Sequence, residues 1–316
     1  MGRDEYVCTC RWIRGKAYST SKSDLESIRN VTCFFVSDLH GSPDRYCALF
    51  DAIRMEQPQA VFFGGDLLPS GIARFSSSPG LHSDFVNDYL VPVCAALRKD
   101  LDRQYPRMFL ILGNDDPRSQ EPVILDGAVH GYWEYIHGRR AEFGEYAAIG
   151  YNCVPPTPFV LKDWERYDVS RFVDVGCISP EEGRYSVPVP EREKKYITIK
   201  DDLEALAAGI DADRTICLFH APPHKTNLDR AALDGKMIDH VPLDVHVGSI
   251  AVRRFIEGRQ PLLTLHGHIH ESAQLTGSWQ DRIGRTVMLS AAHHGPELAL
   301  VRFDPADPAG ATRELR

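Results

Sequence analysis

Five short apolar runs along the chain each break off into a polar or glycine-rich cluster. They are VTCFFVSDLHG (31–41), AVFFGGD (60–66), MFLILGNDD (108–116), TICLFHAPPH (215–224) and LLTLHGHIH (262–270). Dominated by Val, Ile, Leu and Phe, they predict buried strands that run into loops. Between them the apolar residues take helical spacing, which predicts helices over 44–55, 84–103, 201–208 and 249–257. Strands alternating with helices predict an α/β architecture, in which ligands gather at the carboxyl ends of the strands. The polar residues of all five runs stand at that end.

Two regions break the pattern. Residues 69–81 are rich in Ser, Gly and Pro and read as a loop, while 151–190 carry many prolines and predict a long irregular excursion over the surface. Near the end, TVMLSAAHHGPELALVRFD (286–304) reads as two more strands joined by a turn. With no internal repeat or clear linker, the expectation is a single domain over 1–316, with 1–30 as an N-terminal extension.

Composition narrows the picture. The formal net charge is −8 over 316 residues, which disfavours nonspecific attraction to nucleic acid or an anionic membrane. No apolar run approaches the roughly 20 residues of a membrane-spanning helix, and the first residues lack the apolar core of a signal peptide, so the expected compartment is the cytoplasm. Of the eight cysteines, none forms a CxxC pair. Cys33, Cys94 and Cys217 sit in apolar runs as expected buried thiols, and Cys8 with Cys10 gives only a weak metal signal.

The strand ends collect Asp38 and His40, Asp66, Asn114, His220, and His268 and His270. Oxygen and nitrogen donors without a thiolate suit borderline divalent metals: Mn, Fe, Co, Ni or Zn. Seven donors are too many for one ion, but they fit two ions about 3.5 to 4 Å apart that share a carboxylate, the arrangement used to hydrolyse phosphate esters. Glycines at 64, 65, 113 and 267 let the backbone turn close to such ions. In an extended segment residues two apart share a face, so His266, His268 and His270 could all converge on one object.

The order DxH, GD, GN, H, GHxH, running from Ser37 to His270, resembles the calcineurin-like metallophosphoesterases. HAPPHKTNLD and HVGSIAVRRFIEGRQPLLTLHGHIHES are similar to an Icc-type branch of that superfamily. The resemblance implies a four-layer αββα sandwich of two mixed β-sheets. It also implies one metal on Asp38, His40, Asp66 and His270, and a second on Asp66, Asn114, His220 and His268. The implied activity is hydrolysis of a phosphate ester, a diester before a monoester, by in-line attack of a hydroxide between the ions. The partner is then a small phosphate ester, nucleotides among the candidates; the oligomeric state is open.

Two departures matter. Pro69 replaces the second Asp of the family's GDxxD, a position that supports structure. Asp115 stands where many members carry a histidine that contacts the phosphate and helps protonate the leaving oxygen. An aspartate at neutral pH has no proton to offer, so Asp115 and His224, in the loop after His220, are the candidate catalytic residues. His266 reads as a packing or supporting residue. His246 and Ser249 lie at a helix start that favours an anion, although Ser249 needs only an N-cap role. Asp44 reads as an N-cap, and Arg45 as a first-turn residue able to hold a phosphate. His82, His130 and His137 read as surface or loop residues; His293 and His294 favour neither site nor surface. A protein phosphatase or nuclease on the same fold is the enzymatic rival, and a non-catalytic scaffold the other. The scaffold is disfavoured because every ligand position holds a competent residue.

Overall fold

A computed structural model describes residues 33–69 and 84–316. The 1–30 extension with Cys8 and Cys10, most of the 69–81 loop, and His82 lie outside them.

The chain runs β1 (Cys33–Val36), α1 (Pro43–Glu56), β2 (Ala60–Gly64), α2 (Val91–Leu101), β3 (Arg107–Ile111), α3 (Glu121–Val129), β4 (Glu134–Tyr135), β5 (Arg140–Phe143) and β6 (Tyr146–Tyr151). There follow α4 (Glu191–Tyr196), α5 (Ile199–Leu206), β7 (Thr215–Phe219), β8 (Met237–Ile238), β9 (Val241–Pro242), α6 (Ile250–Arg259) and β10 (Leu263–His266). Last come α7 (Ser272–Thr276), β11 (Gln280–Ile283), β12 (Thr286–Ser290), β13 (Ala299–Asp304) and β14 (Asp307–Leu315). Two six-stranded sheets form, ordered β14-β13-β1-β2-β3-β4 and β11-β12-β10-β7-β6-β5. The inner strands pair in parallel, while β13 against β1, β5 against β6 and β11 against β12 are antiparallel, so both sheets are mixed.

Strand alternation divides the apolar residues between two faces. Phe35, Phe62, Phe109, Leu218 and Leu265 fill the space between the sheets, where Phe62 stacks on Phe109 at 5.0 Å. Phe34 and Phe63 turn outward to Tyr46, Leu49 and Leu97 of α1 and α2. On the far side Phe219 meets Phe255 of α6 edge-on at 5.6 Å. The result is the expected four-layer sandwich.

Several local expectations shift. Helix α1 is capped by Ser42, whose Oγ accepts from Arg45 N at 3.4 Å, with Pro43 first and Asp44 inside the first turn. A serine followed by proline outcompetes the aspartate, because proline at the first helical position leaves the cap to the residue before it. The run at 286–304 does not fold back as a hairpin: β12 lies in the second sheet and β13 in the first. Periodicity marks each strand but carries no information on which sheet it joins.

The excursion after β6 is irregular, as its prolines dictate, yet firmly tied. The buried Lys162–Glu165 pair lies within it, with Thr157 N and Oγ1 donating to Glu165 at 2.7 and 2.6 Å. Asp168 joins it to α6 by accepting from Ile250 N at 2.7 Å, Ala251 N at 3.1 Å and Ser249 Oγ.

Candidate metal centre

β1, β2 and β3 lie side by side in one sheet, and β7 and β10 in the other. Their carboxyl ends therefore meet along one edge of the sandwich. Asp38 and His40 follow β1, Asp66 follows β2, Asn114 follows β3, His220 follows β7, and His268 and His270 follow β10.

Ligand atoms of Asp38, His40, Asp66 and His270 all lie within 4.8 Å of one another, as do those of Asp66, His220 and His268. Asn114 Oδ1 joins the second set, 3.1 Å from His220 Nε2. Asp66 belongs to both sets. His40 Nε2 and His270 Nε2 stand 3.2 Å apart, and His270 Nε2 is 3.2 Å from Asp38 Oδ1. Across the two sheets His268 N donates to Asp38 Oδ1 at 3.0 Å.

Backbone and neighbours hold this geometry against its intrinsic cost. Asp38, His40, Asp66 and His268 adopt φ of 55°, 47°, 51° and 74°, a region that non-glycine residues rarely enter. Such strain persists only where the surroundings impose it. Asp116 does much of that work: its fully buried carboxylate accepts from Leu67 N at 3.0 Å, Leu68 N at 2.8 Å and Gly113 N at 2.9 Å, tying the Asp66 loop to the Asn114 loop. Pro69 packs on Gly41, so the Asp116 carboxylate, not residue 69, secures the loop after Asp66. Two glycines make the approach possible. A Cβ on Gly65 (φ 93°) would stand 2.7 Å from His220 Nδ1, and one on Gly267 would stand 2.7 Å from Asp38 Oδ2.

The donor chemistry fits divalent ions. His220 Nδ1 lies 2.7 Å from Gly64 O, and a carbonyl only accepts, so Nδ1 carries a proton and Nε2 is the nitrogen turned toward Asp66 and Asn114, where it could hold a metal. Asp38 and Asp66 are buried carboxylates whose ion-pair partners, among the described residues, are histidines alone. Burial pushes Asp66 up, but His220 and then His40 hold it down at about 2. Burial likewise raises Asp38, and the His270 hydrogen bond with the nearby imidazoles overrides it, leaving it well below the carboxylate range. His40 and His220 lose to burial and gain more from their acidic neighbours, reaching about 9, while burial takes His268 down to about 3. The carboxylates of this pocket thus stay ionised beside imidazoles whose protons a bound cation would displace.

The structure divides the three alternating histidines. His266 ends β10 beside Thr264 and is fully buried, with Nδ1 2.9 Å from Ala221 O and Nε2 2.7 Å from Thr264 Oγ1. Both its ring nitrogens are engaged inside the fold. His268 and His270 lie beyond the strand, and the left-handed turn at His268 sends them to different donor sets. Alternation along a strand therefore does not converge the three rings.

The candidate catalytic residues separate too. Asp115 Oδ2 is 3.4 Å from His40 Nδ1, and its N–H donates to Asp66 Oδ1 at 2.8 Å. His224 instead points Nδ1 at Asp229, 3.8 Å away, and its ring meets that of His246. The buried Asp229 carboxylate organises this loop, accepting from Lys225 N at 2.8 Å and Thr226 N at 2.9 Å and pairing with His246 Nδ1 at 2.8 Å. Arg45 is committed elsewhere: its guanidinium donates to the carbonyls of Asp38, Gly295 and Pro296. The start of α6 does receive an anion, the Asp168 carboxylate, while Ser249 Oγ caps Val252 N at 3.0 Å. His293 pairs with Glu297 at 2.9 Å, and His130 is exposed. His137 is a half-buried loop residue; its Nδ1 accepts from Asn152 N at 3.0 Å and its ring packs against Trp164. Asp116, Asp168 and Asp229 escaped the sequence reading. Asp116 and Asp229 have as local signal a carboxylate beside a glycine-, proline- or asparagine-containing turn, and Asp168, in WERYDVSRF, has none.

Fold and donor set together define a metal-dependent phosphoesterase. The chain belongs to the calcineurin-like phosphoesterase family, whose pattern matches residues 32–272. The protein TT1561 of Thermus thermophilus shares this fold at 15% identity, with a TM-score of 0.52 over 90% of this chain and 99% of that one. A dimetal phosphatase from Danio rerio aligns at 14% identity, with a TM-score of 0.47 over 87% of this chain and 93% of that one. Among curated proteins none matches. No helix among the described residues is long and apolar enough to cross a membrane.

Proposed function

We propose that the protein is a dinuclear hydrolase of small phosphate esters that prefers diesters to monoesters. The observation that carries this reading is the position of Asp66, shared between two donor sets whose other members are Asp38, His40 and His270 on one side and Asn114, His220 and His268 on the other. Two divalent ions held there, drawn from Mn, Fe, Co, Ni or Zn, supply a nucleophile from water at neutral pH and neutralise charge that builds on the phosphoryl oxygens.

The chain's own groups set the preference. Asp115, beside His40 with its side chain 34% exposed, adds a carboxylate at the open side of the pocket. Its charge opposes a dianionic monoester more than a singly charged diester. With no histidine at that position, protonation of the leaving oxygen falls to His224, held near the Asp229 carboxylate, or is dispensed with when the leaving group is good.

The test is a panel of one phosphomonoester, one phosphodiester and cyclic nucleotides, assayed after chelation and again with each metal restored. The reading expects no hydrolysis after chelation, recovery with at least one metal, and kcat/KM higher for the diester. Failure with every metal would exclude a phosphoesterase; faster monoester hydrolysis would refute the charge argument for Asp115.

A further inference from the structure

Two segments leave the ligand edge of the second sheet from neighbouring strands: residues 152–190 after β6, and 221–249 after β7. The second continues directly from His220. From Asp229 it rises as a two-stranded ribbon, held by Val247 N to Asp229 O at 3.1 Å, Ala231 N to Val245 O at 2.8 Å and Leu243 N to Lys236 O at 3.0 Å. The ribbon turns at Asp239 and His240, both at positive φ (47° and 68°), as a tight two-residue hairpin demands. Its base borders the centre, since Ala232 N donates at 3.1 Å to Glu271, the residue after His270.

The two segments meet. A Cβ on Gly176 would stand 2.5 Å from Ile238 Cδ1, so the ribbon tip lies on the backbone of the excursion. The Asp174 carboxyl of the excursion is pushed up by burial and then by Asp244 of the ribbon, with His224 acting in the opposite sense. Excursion, ribbon and His224 thus share one neighbourhood.

This joint wall is apolar where water would be expected. Phe172 is 71% exposed, Met237 57%, Val241 45%, Val175 44% and Ile238 38%. A ribbon of this size is marginal alone and gains little from presenting Met, Ile and Val to solvent. Around these residues, within 171–176 and 234–244, the exposed charged side chains are mostly acidic: Asp174, Asp234, Asp239 and Asp244 against Arg171 and Lys236. That balance repels a polyphosphate, a nucleic acid or an anionic bilayer, and sets the carboxylates of one copy against those of another.

We infer that this wall receives the apolar part of the substrate, so that the enzyme acts on a phosphate ester carrying an extended apolar group and no negative charge beyond its one phosphate. The inference rests on the phosphoesterase reading above and adds the substrate class to it.

Alkyl p-nitrophenyl phosphodiesters with methyl, butyl and octyl chains test it on the metal-loaded full chain. In each, water adds to phosphorus, the P–O bond to the aryl group breaks and nitrophenolate leaves, so the chemistry is constant while the apolar group grows. KM should fall about tenfold or more from methyl to octyl at nearly constant kcat. In the Phe172→Ser/Met237→Ser double variant the series should flatten to within about twofold. Both positions are exposed, so folding is preserved and a matched melting temperature verifies it. A wild type that hydrolyses all three esters with equal KM overturns the inference and leaves the phosphoesterase reading standing. A wild-type dimer that the double variant abolishes, together with a flat series, overturns it in favour of self-association. No hydrolysis of any ester by the loaded wild type removes the phosphoesterase reading itself, and the inference with it.

Discussion

Asp38, His40, Asp66 and His268 hold left-handed backbone, so the candidate metal donors also carry conformational strain. The residue types were legible in the sequence because a divalent centre needs oxygen and nitrogen donors at strand ends. The groups that impose the strain were not, since Asp116 reaches Leu67 and Leu68 from far along the chain and no spacing rule announces it. Asp115 offers the sharpest chemical test. Asp115→His should raise turnover of an ester with an alkyl leaving group about tenfold or more and leave a nitrophenyl ester of the same phosphate class nearly unchanged. A wild type that already cleaves both equally would mean the leaving-group proton comes from elsewhere, with His224 first to examine. His137 gives a pH test away from the metal ligands. Burial, then the charges of Arg166, Arg118 and Arg139, pushes it down to about 3, against about 6.5 for a free imidazole. The unfolded chain therefore takes up the proton first. The contribution is whole above about pH 6.5 and fades as pH falls toward the folded value. The stability gap between wild type and His137→Gln in urea titrations should shrink between pH 7.5 and 4.5; a constant gap would contradict the shift.

Among elements, the apolar runs located all the strands that carry the candidate metal donors, because burial on both faces writes an unbroken apolar signature. Helix ends moved by a few residues, and the 84–103 pattern proved to be a π turn, Val86–Leu90, leading into α2. What strand-level reasoning could not supply is partnership: β12 and β13 are consecutive yet sit in different sheets, and His266 belongs to a strand while His268 and His270 belong to the turn beyond it. The link between the excursion and α6 is equally non-local. Asp168 supplies the negative charge that the first turn of α6 attracts. Asp168→Ala should therefore cost about 1–2 kcal/mol and speed amide exchange at Ile250 and Ala251. Unchanged exchange at those two amides would show that the Ser249 cap alone holds the helix start.

At the scale of the molecule, the centre exists because two sheets bring their carboxyl edges together. Asp38, His40, Asp66 and Asn114 come from one, and His220, His268 and His270 from the other. Metal binding should then lock the sandwich, since ions that bind only the folded chain stabilise it in proportion to their affinity. The net charge of −8 makes bound cations the natural source of positive charge for a phosphate in an acidic protein. The four-layer architecture followed from the family resemblance, whereas alternation of strands and helices alone led only to the α/β class. The central claim is that Asp66 joins two metal sites. Elemental analysis after chelation, reloading with excess Mn and removal of free metal measures it directly. The account predicts two ions per wild-type chain and fewer in Asp66→Asn at matched folding. Wild-type protein that retains no metal would contradict it.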